Sequence, residues 1–146
     1  MTGERDIVLK EQFNVTGRDF GRAGTVSTTI KSKLKQIGFS PDVIRRVAIA
    51  TYEAEINVVV YADRATVTFE VTPTEITVTL EDQGRGIADI EQAMQEGFST
   101  ATDEIREMGF GAGMGLPNIK KNSDDFEVTS EVGVGTTVRI KVLARQ

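Results

Sequence analysis

Apolar positions follow two different periods along this chain, and the switches between them outline its elements. From Arg5 to Val15, Ile7, Val8, Leu9, Phe13 and Val15 alternate loosely with polar residues and predict a first strand. From Gly17 to Gly38 the spacing becomes three and four. Phe20, Ala23, Val26, Ile30, Leu34 and Ile37 then line one face of an amphipathic helix that Gly38 ends. Ser40 suits the N-cap of a second helix, Pro41 its first position and Asp42 its positive dipole end. Val43, Val47, Ile49 and Ala50 carry that helix on to about Ala62. Its Val58-Val59-Val60 run is β-branched and a poor helix former, so tertiary packing has to hold that end.

Strict alternation follows. Val67, Phe69 and Val71 share one face of the run from Ala65, and Ile76, Val78 and Leu80 share one face of the run from Glu75 to Glu81. With Thr72-Pro73-Thr74 between them, these runs predict an antiparallel hairpin with one buried face and one Thr/Glu-rich wet face. Residues 83–113 are rich in Gly, Ser and Thr, with one short helix expected around Asp89 to Met94. Gly115 to Asn122 reads as a helix. Phe126 to Ser130 and Thr136 to Val142 read as a final hairpin across Val132 to Gly135. Strands grouped away from helices argue an α+β two-layer sandwich: a mixed, mostly antiparallel sheet with helices on one face. The 146 residues fit a single domain, 1–146, with one core.

Composition narrows the chemistry. The chain has no Cys and no His, which removes disulfides, thiolate catalysis, Cys- or His-based zinc sites, Ser-His-Asp triads and phospho-His chemistry on this chain. Net charge is −5, and no Lys/Arg cluster recommends a nucleic-acid backbone as partner. No stretch approaches a membrane span and the start shows no signal-peptide apolar core, so a cytoplasmic location is expected.

Four short segments carry candidate chemistry. Glu53 and Asn57 lie four apart on the second helix and project from one face. An Asn oxygen is a hard neutral ligand suited to Mg²⁺, and a Glu one turn earlier suits proton acceptance from an attacking hydroxyl or water. Taken alone, the pair reads more readily as a solvated face. Asp82 ends a buried-face strand, where a carboxylate suits the exocyclic amine of adenine; Gly84 and Gly86 after it suit close approach of backbone to a flat ring. An Asp-Gly turn is the plainer reading of that segment. Gly109, Gly111, Gly113 and Gly115 alternate into a helix start, where backbone N–H groups suit phosphate. No Gly-Lys-Ser/Thr follows and no parallel βαβ unit precedes, so neither the P-loop nor the dinucleotide fingerprint applies. In Gly135-Thr136-Thr137, which opens the last strand, a Thr hydroxyl suits adenine or a bridging water.

Together, and in this order, the segments resemble the N, G1 and G2 boxes of the GHKL (Bergerat-fold) ATP-binding superfamily, over nearly the whole chain. The run Tyr52-Glu53-Ala54-Glu55-Ile56-Asn57, the Asp82-to-Ile87 segment and Ser130-to-Val138 are similar to the small bacterial anti-sigma-factor and stressosome serine/threonine kinases. Gly113-Met114-Gly115-Leu116-Pro117 and Asp125-Phe126-Glu127-Val128 look most like the stressosome switch-kinase branch, as does Val60-Tyr61 where many anti-sigma kinases carry a His. The resemblance implies Glu53 as general base toward a protein Ser/Thr hydroxyl and Asn57 as holder of Mg²⁺ on ATP. It implies Asp82 on the adenine amine, with Gly84, Gly86, Ile87 and Thr137 nearby. It implies an ATP lid over residues 97–113, Arg106 toward the γ-phosphate, and Gly111, Gly113, Met114, Gly115 and Leu116 around the nucleotide. Thr100 and Thr102 are the other candidate lid anchors.

The activity so implied is phosphorylation of a STAS-type antagonist domain or stressosome scaffold protein in a partner switch. Such a switch controls a sigma factor or a PP2C-type phosphatase, and a homodimer is plausible by analogy. The alternative is a nucleotide-gated module that binds its partners without phosphotransfer. A detached histidine-kinase ATPase domain ranks last, since this chain has no His to phosphorylate.

Overall fold

The structure is a computed structural model that describes residues 7–87, 89–95 and 115–144. Its elements run β1 (Leu9–Thr16), a single 3₁₀ turn (Phe20–Arg22), α1 (Thr25–Ile37), α2 (Pro41–Tyr61), β2 (Ala62–Val71), β3 (Glu75–Gly84), α3 (Ile90–Ala93), α4 (Gly115–Lys121), β4 (Asp125–Glu131) and β5 (Gly135–Leu143). The strands form one five-stranded sheet in the order β1-β2-β3-β5-β4. All four pairings are antiparallel. Val67, Phe69, Val71, Ile76, Val78, Leu80, Val138, Ile140 and Val142 share the face toward the helices and are buried. The Thr, Glu, Arg and Lys residues between them face away. The α+β two-layer architecture expected from the hydrophobic pattern is present.

α2 lies across the inner face of the sheet, with α1 and α4 packed beside it. Ser40 accepts the Val43 amide at 3.3 Å and Pro41 opens the helix, as the sequence predicts. The Val58-Val59-Val60 run stays helical because all three side chains are buried against the core. Burial of each contributes on the order of 1.5–3 kcal/mol, several times the propensity cost of a β-branched residue. Arg18 closes that end: its guanidinium donates to the Ala62 carbonyl at 3.1 Å and the Val59 carbonyl at 3.4 Å, placing a cation at the negative pole of the helix.

The first predicted helix is shorter than the apolar spacing indicates. It begins at Thr25 rather than Gly17. The intervening residues are bound elsewhere: the Gly17 amide donates to Asp63 O and the Arg18 amide to Val59 O, both at 2.8 Å. Phe20 and Ala23 still pack on the core, which is why their spacing mimics a helix.

Helix α1 has an unusual start. Its N-cap, Gly24, has no side chain to cap with. The missing acceptor comes from α2. Glu55, 1% exposed, takes the amides of Gly24 and Val26 on Oε2, each at 3.1 Å, and that of Ser27 on Oε1 at 3.0 Å. A buried carboxylate is tolerable here because three donors and the positive end of a helix meet it.

Candidate functional site

Two of the predicted site residues, Glu53 and Asn57, lie one turn apart on α2 and are half-buried. Residues two apart on a helix point about 200° apart, so Glu53 and Asn57 face one way and Glu55, between them, the other. Helix α4 runs against the Glu53/Asn57 face. Gly115 opens α4 directly over Asn57: a Cβ at position 115 would lie 2.9 Å from the Asn57 Oδ1 and 3.0 Å from its Nδ2. A side chain at 115 would have to displace the Asn57 amide, so glycine lets α4 approach without moving it. One turn further on, Asn118 donates from Nδ2 to Glu53 Oε2 at 3.0 Å. Leu116 and Ile119 on the adjacent face of α4 are buried and anchor it to the core. Leu116 is thus a core residue.

The Asn57 amide has no hydrogen-bond partner among the described residues. A neutral oxygen with open valence beside a carboxylate fits Mg²⁺, which prefers a few protein oxygens and completes its shell from phosphate and water.

Asp82 sits near the end of β3, half-buried, on the inner face. Its Oδ1 accepts the Thr136 amide at 2.9 Å. Its Oδ2 has no hydrogen-bond partner among the described residues and remains able to accept an amine. Burial raises the Asp82 carboxyl above its ordinary 3.8, and the Thr136 amide opposes that rise in part. Behind it lies a tight hydroxyl cluster. Ser130 Oγ accepts the Ile87 amide at 2.7 Å, lies 2.8 Å from Thr136 Oγ1 and donates to Gly135 O at 3.2 Å. Ile87, which packs on the core, is thereby fixed beside Asp82.

The two adjacent threonines of β5 fall on opposite faces of the sheet. Strand alternation pairs Thr137 with Glu81 and Thr129, on the face turned away from the helices. There it lines a shallow groove with Thr66, Thr68 and Thr129. The residue at Asp82 is Thr136, which is buried. The glycines have a packing reason within the chain itself. A Cβ on Gly84 would meet Ala62, at the α2–β2 junction, and one on Gly86 would meet Glu131 and Val132. Gly86 also has φ +75°, a left-handed conformation. Close approach of the chain itself thus keeps both positions small. Arg85 between them lies 4.7 Å from the centre of the Tyr61 ring, tying this loop to the end of α2. Arg106, Gly111, Gly113, Met114 and the 97–113 lid lie outside the described residues.

The sequence and the fold both match known proteins. The family described as "Histidine kinase-like ATPase domain" matches over residues 18–142. The chain belongs to that ATP-binding family, in its anti-sigma-factor kinase branch. The serine/threonine-protein kinase RsbT of Bacillus subtilis is 32% identical over 136 residues, covering 90% of each chain. An anti-sigma F factor of Caldanaerobacter subterraneus is 31% identical over 118 residues, covering 77% of this chain and 79% of its own. Among solved structures, the SiaB–SiaC complex from Pseudomonas aeruginosa contains a chain with the same fold. Its TM-score is 0.63 at 15% identity, covering 95% of this chain and 91% of that one. The RsbU and RsbW domains of a Mycobacterium tuberculosis protein match with a TM-score of 0.60 at 16% identity; this chain covers 33% of that one. No described helix is long and apolar enough to cross a membrane.

Asp82 supports one prediction at once. Asp82→Asn keeps an oxygen for the Thr136 amide but replaces the other oxygen with a donor, which would repel an adenine amine bound there. ADP affinity should fall on the order of 10²-fold, the loss of a charge-assisted hydrogen bond plus a mismatch. Stability should not fall. With the folded carboxyl raised above 3.8, the native state holds more protons than the unfolded chain just above that pH. The group therefore lowers stability as pH rises through the window, and at neutral pH Asn removes that cost. Calorimetric ADP titration and thermal melts of the variant check both halves; wild-type affinity would remove Asp82 from the adenine site.

Proposed function

We infer that this chain is a protein serine/threonine kinase of a bacterial partner switch, transferring the γ-phosphoryl group of ATP to a STAS-type antagonist domain. The observation that carries the reading is the pairing along α2. A carboxylate and an amide lie one turn apart on α2, and α4 bonds the first and closes over the second from the same side. The kinase named RsbT, similar over nine-tenths of both chains, supports the activity.

In this reading Asp82 Oδ2 accepts the adenine amine and sets which base enters. Asn57 Oδ1 would hold Mg²⁺, which would supply positive charge to neutralise what builds on the phosphates. Glu53 Oε1, the oxygen not held by Asn118, takes the proton of the incoming Ser or Thr hydroxyl. The hydroxyl oxygen forms its bond to the γ-phosphorus as the bond from phosphorus to the bridging oxygen breaks, leaving ADP. Phosphoryl transfer is mostly positioning and charge neutralisation, so a base, a metal ligand and a purine anchor on rigid elements make a sufficient set.

The test is transfer of label from γ-³²P Mg-ATP to a STAS-type domain encoded beside this gene. Acid-stable label on that domain is the expected result. A stable complex with no label, despite nucleotide binding, would instead favour a nucleotide-gated binding module.

A further inference from the structure

We propose that Asn118 is a positioning residue for Glu53, fixing one carboxylate oxygen so that the other faces the incoming hydroxyl. The inference rests on the reading of Glu53 as base. An ionised carboxylate only accepts, so the Asn118 amide must present its nitrogen, as it does at 3.0 Å. Glu53 is half-buried on a long side chain whose rotamers would otherwise spread over several directions. Asn118 itself is not free to wander. Buried Leu116 and Ile119 flank it, and its own carbonyl accepts the Asn122 amide at 3.2 Å and the Asn122 side chain at 2.9 Å. The support is therefore a short helix locked at both ends, which is what a precise site requires.

Helical spacing makes the arrangement specific. Residues 115, 118 and 122 share one side of α4, three and four apart. Gly115 brings that side to Asn57, and Asn118 then falls one turn back along α2, at Glu53. One face of α4 thus addresses both the metal ligand and the base. The sequence carries the signal only faintly, as an Asn three residues after the last glycine of the run.

The test is steady-state transfer from Mg-ATP to the same STAS-type domain, with ADP affinity by calorimetry, for wild type, Asn118→Ala, Asn118→Asp, Glu53→Gln and Glu53→Gln/Asn118→Ala. Asn118→Ala should lower kcat about tenfold, the scale of a misplaced catalytic group, with KM for ATP and ADP affinity unchanged. Asn118→Asp, equal in size but repelling Glu53, should lower kcat further. In the Glu53→Gln background Asn118→Ala should change nothing more, because the base it orients is gone. Wild-type kcat in Asn118→Ala overturns the inference, as does a matching loss of ADP affinity or the same drop repeated in the Glu53→Gln background. Failure of the underlying reading looks different: Glu53→Gln transfers at the wild-type rate, or the wild type does not transfer at all, and the inference falls with it.

Discussion

Glu53→Gln should lower the rate of phosphoryl transfer by a factor on the order of 10²–10⁴ while leaving ATP affinity essentially unchanged. The substitution is nearly isosteric, and its amide oxygen can still accept the Asn118 hydrogen bond. What it loses is the ability to take a proton. Glu53 is half-buried, so exchanging its charge for an amide should shift stability by no more than about 1 kcal/mol. Single-turnover transfer from labelled Mg-ATP, paired with calorimetric ATP titration, separates the two effects. Transfer at the wild-type rate would mean that the acceptor hydroxyl loses its proton elsewhere, and Glu53 would be left as a solvated residue of α2.

Two residues along the same helix, the expected effect reverses. Glu55→Leu should destabilise the protein by about 3–5 kcal/mol, because three buried amides lose their acceptor together. Glu55→Gln should cost less. Its single oxygen can keep the Gly24 and Val26 amides, and only Ser27 then faces a donor instead of an acceptor. Urea unfolding followed by circular dichroism should rank wild type above Gln and Gln above Leu by midpoint, with unchanged slope. A Leu variant as stable as wild type would show that α1 needs no cap. Glu53 and Glu55 are the same residue type two positions apart. The 200° between them gives one a place by the cleft and the other a place inside the fold.

That contrast marks the limit of what periodicity reveals. Helix and strand positions were legible because burial imposes a repeat of 3.6 or 2, and the caps at Ser40 and Gly38 had local chemistry to announce them. The stretch from Gly17 to Gly24 was misread as helix because Phe20 and Ala23 pack on the core while the backbone there bonds across to the α2–β2 junction. At the Asp82 end the sequence did not resolve which threonine meets the carboxylate. A Thr-Thr pair does not say which hydroxyl faces inward; the register of β5 against β3 does, and it selects Thr136. Glu55 and Asn118 were missed for a common reason. Each acts on a partner 28 to 65 residues away, and no spacing along one helix encodes such a contact.

The loop after Asp82 is stitched to the tip of the last hairpin at three points. Gly84 N donates to Val134 O, Gly133 N to Arg85 O, and Ile87 N to Ser130 Oγ. At that tip Val132 and Val134 are 66% and 59% exposed, so little apolar burial resists its opening. In hydrogen-exchange terms, the amides of Gly84, Ile87 and Gly133 should therefore report one opening event rather than three. A purine held at Asp82 would then slow exchange in a hairpin tip it never touches.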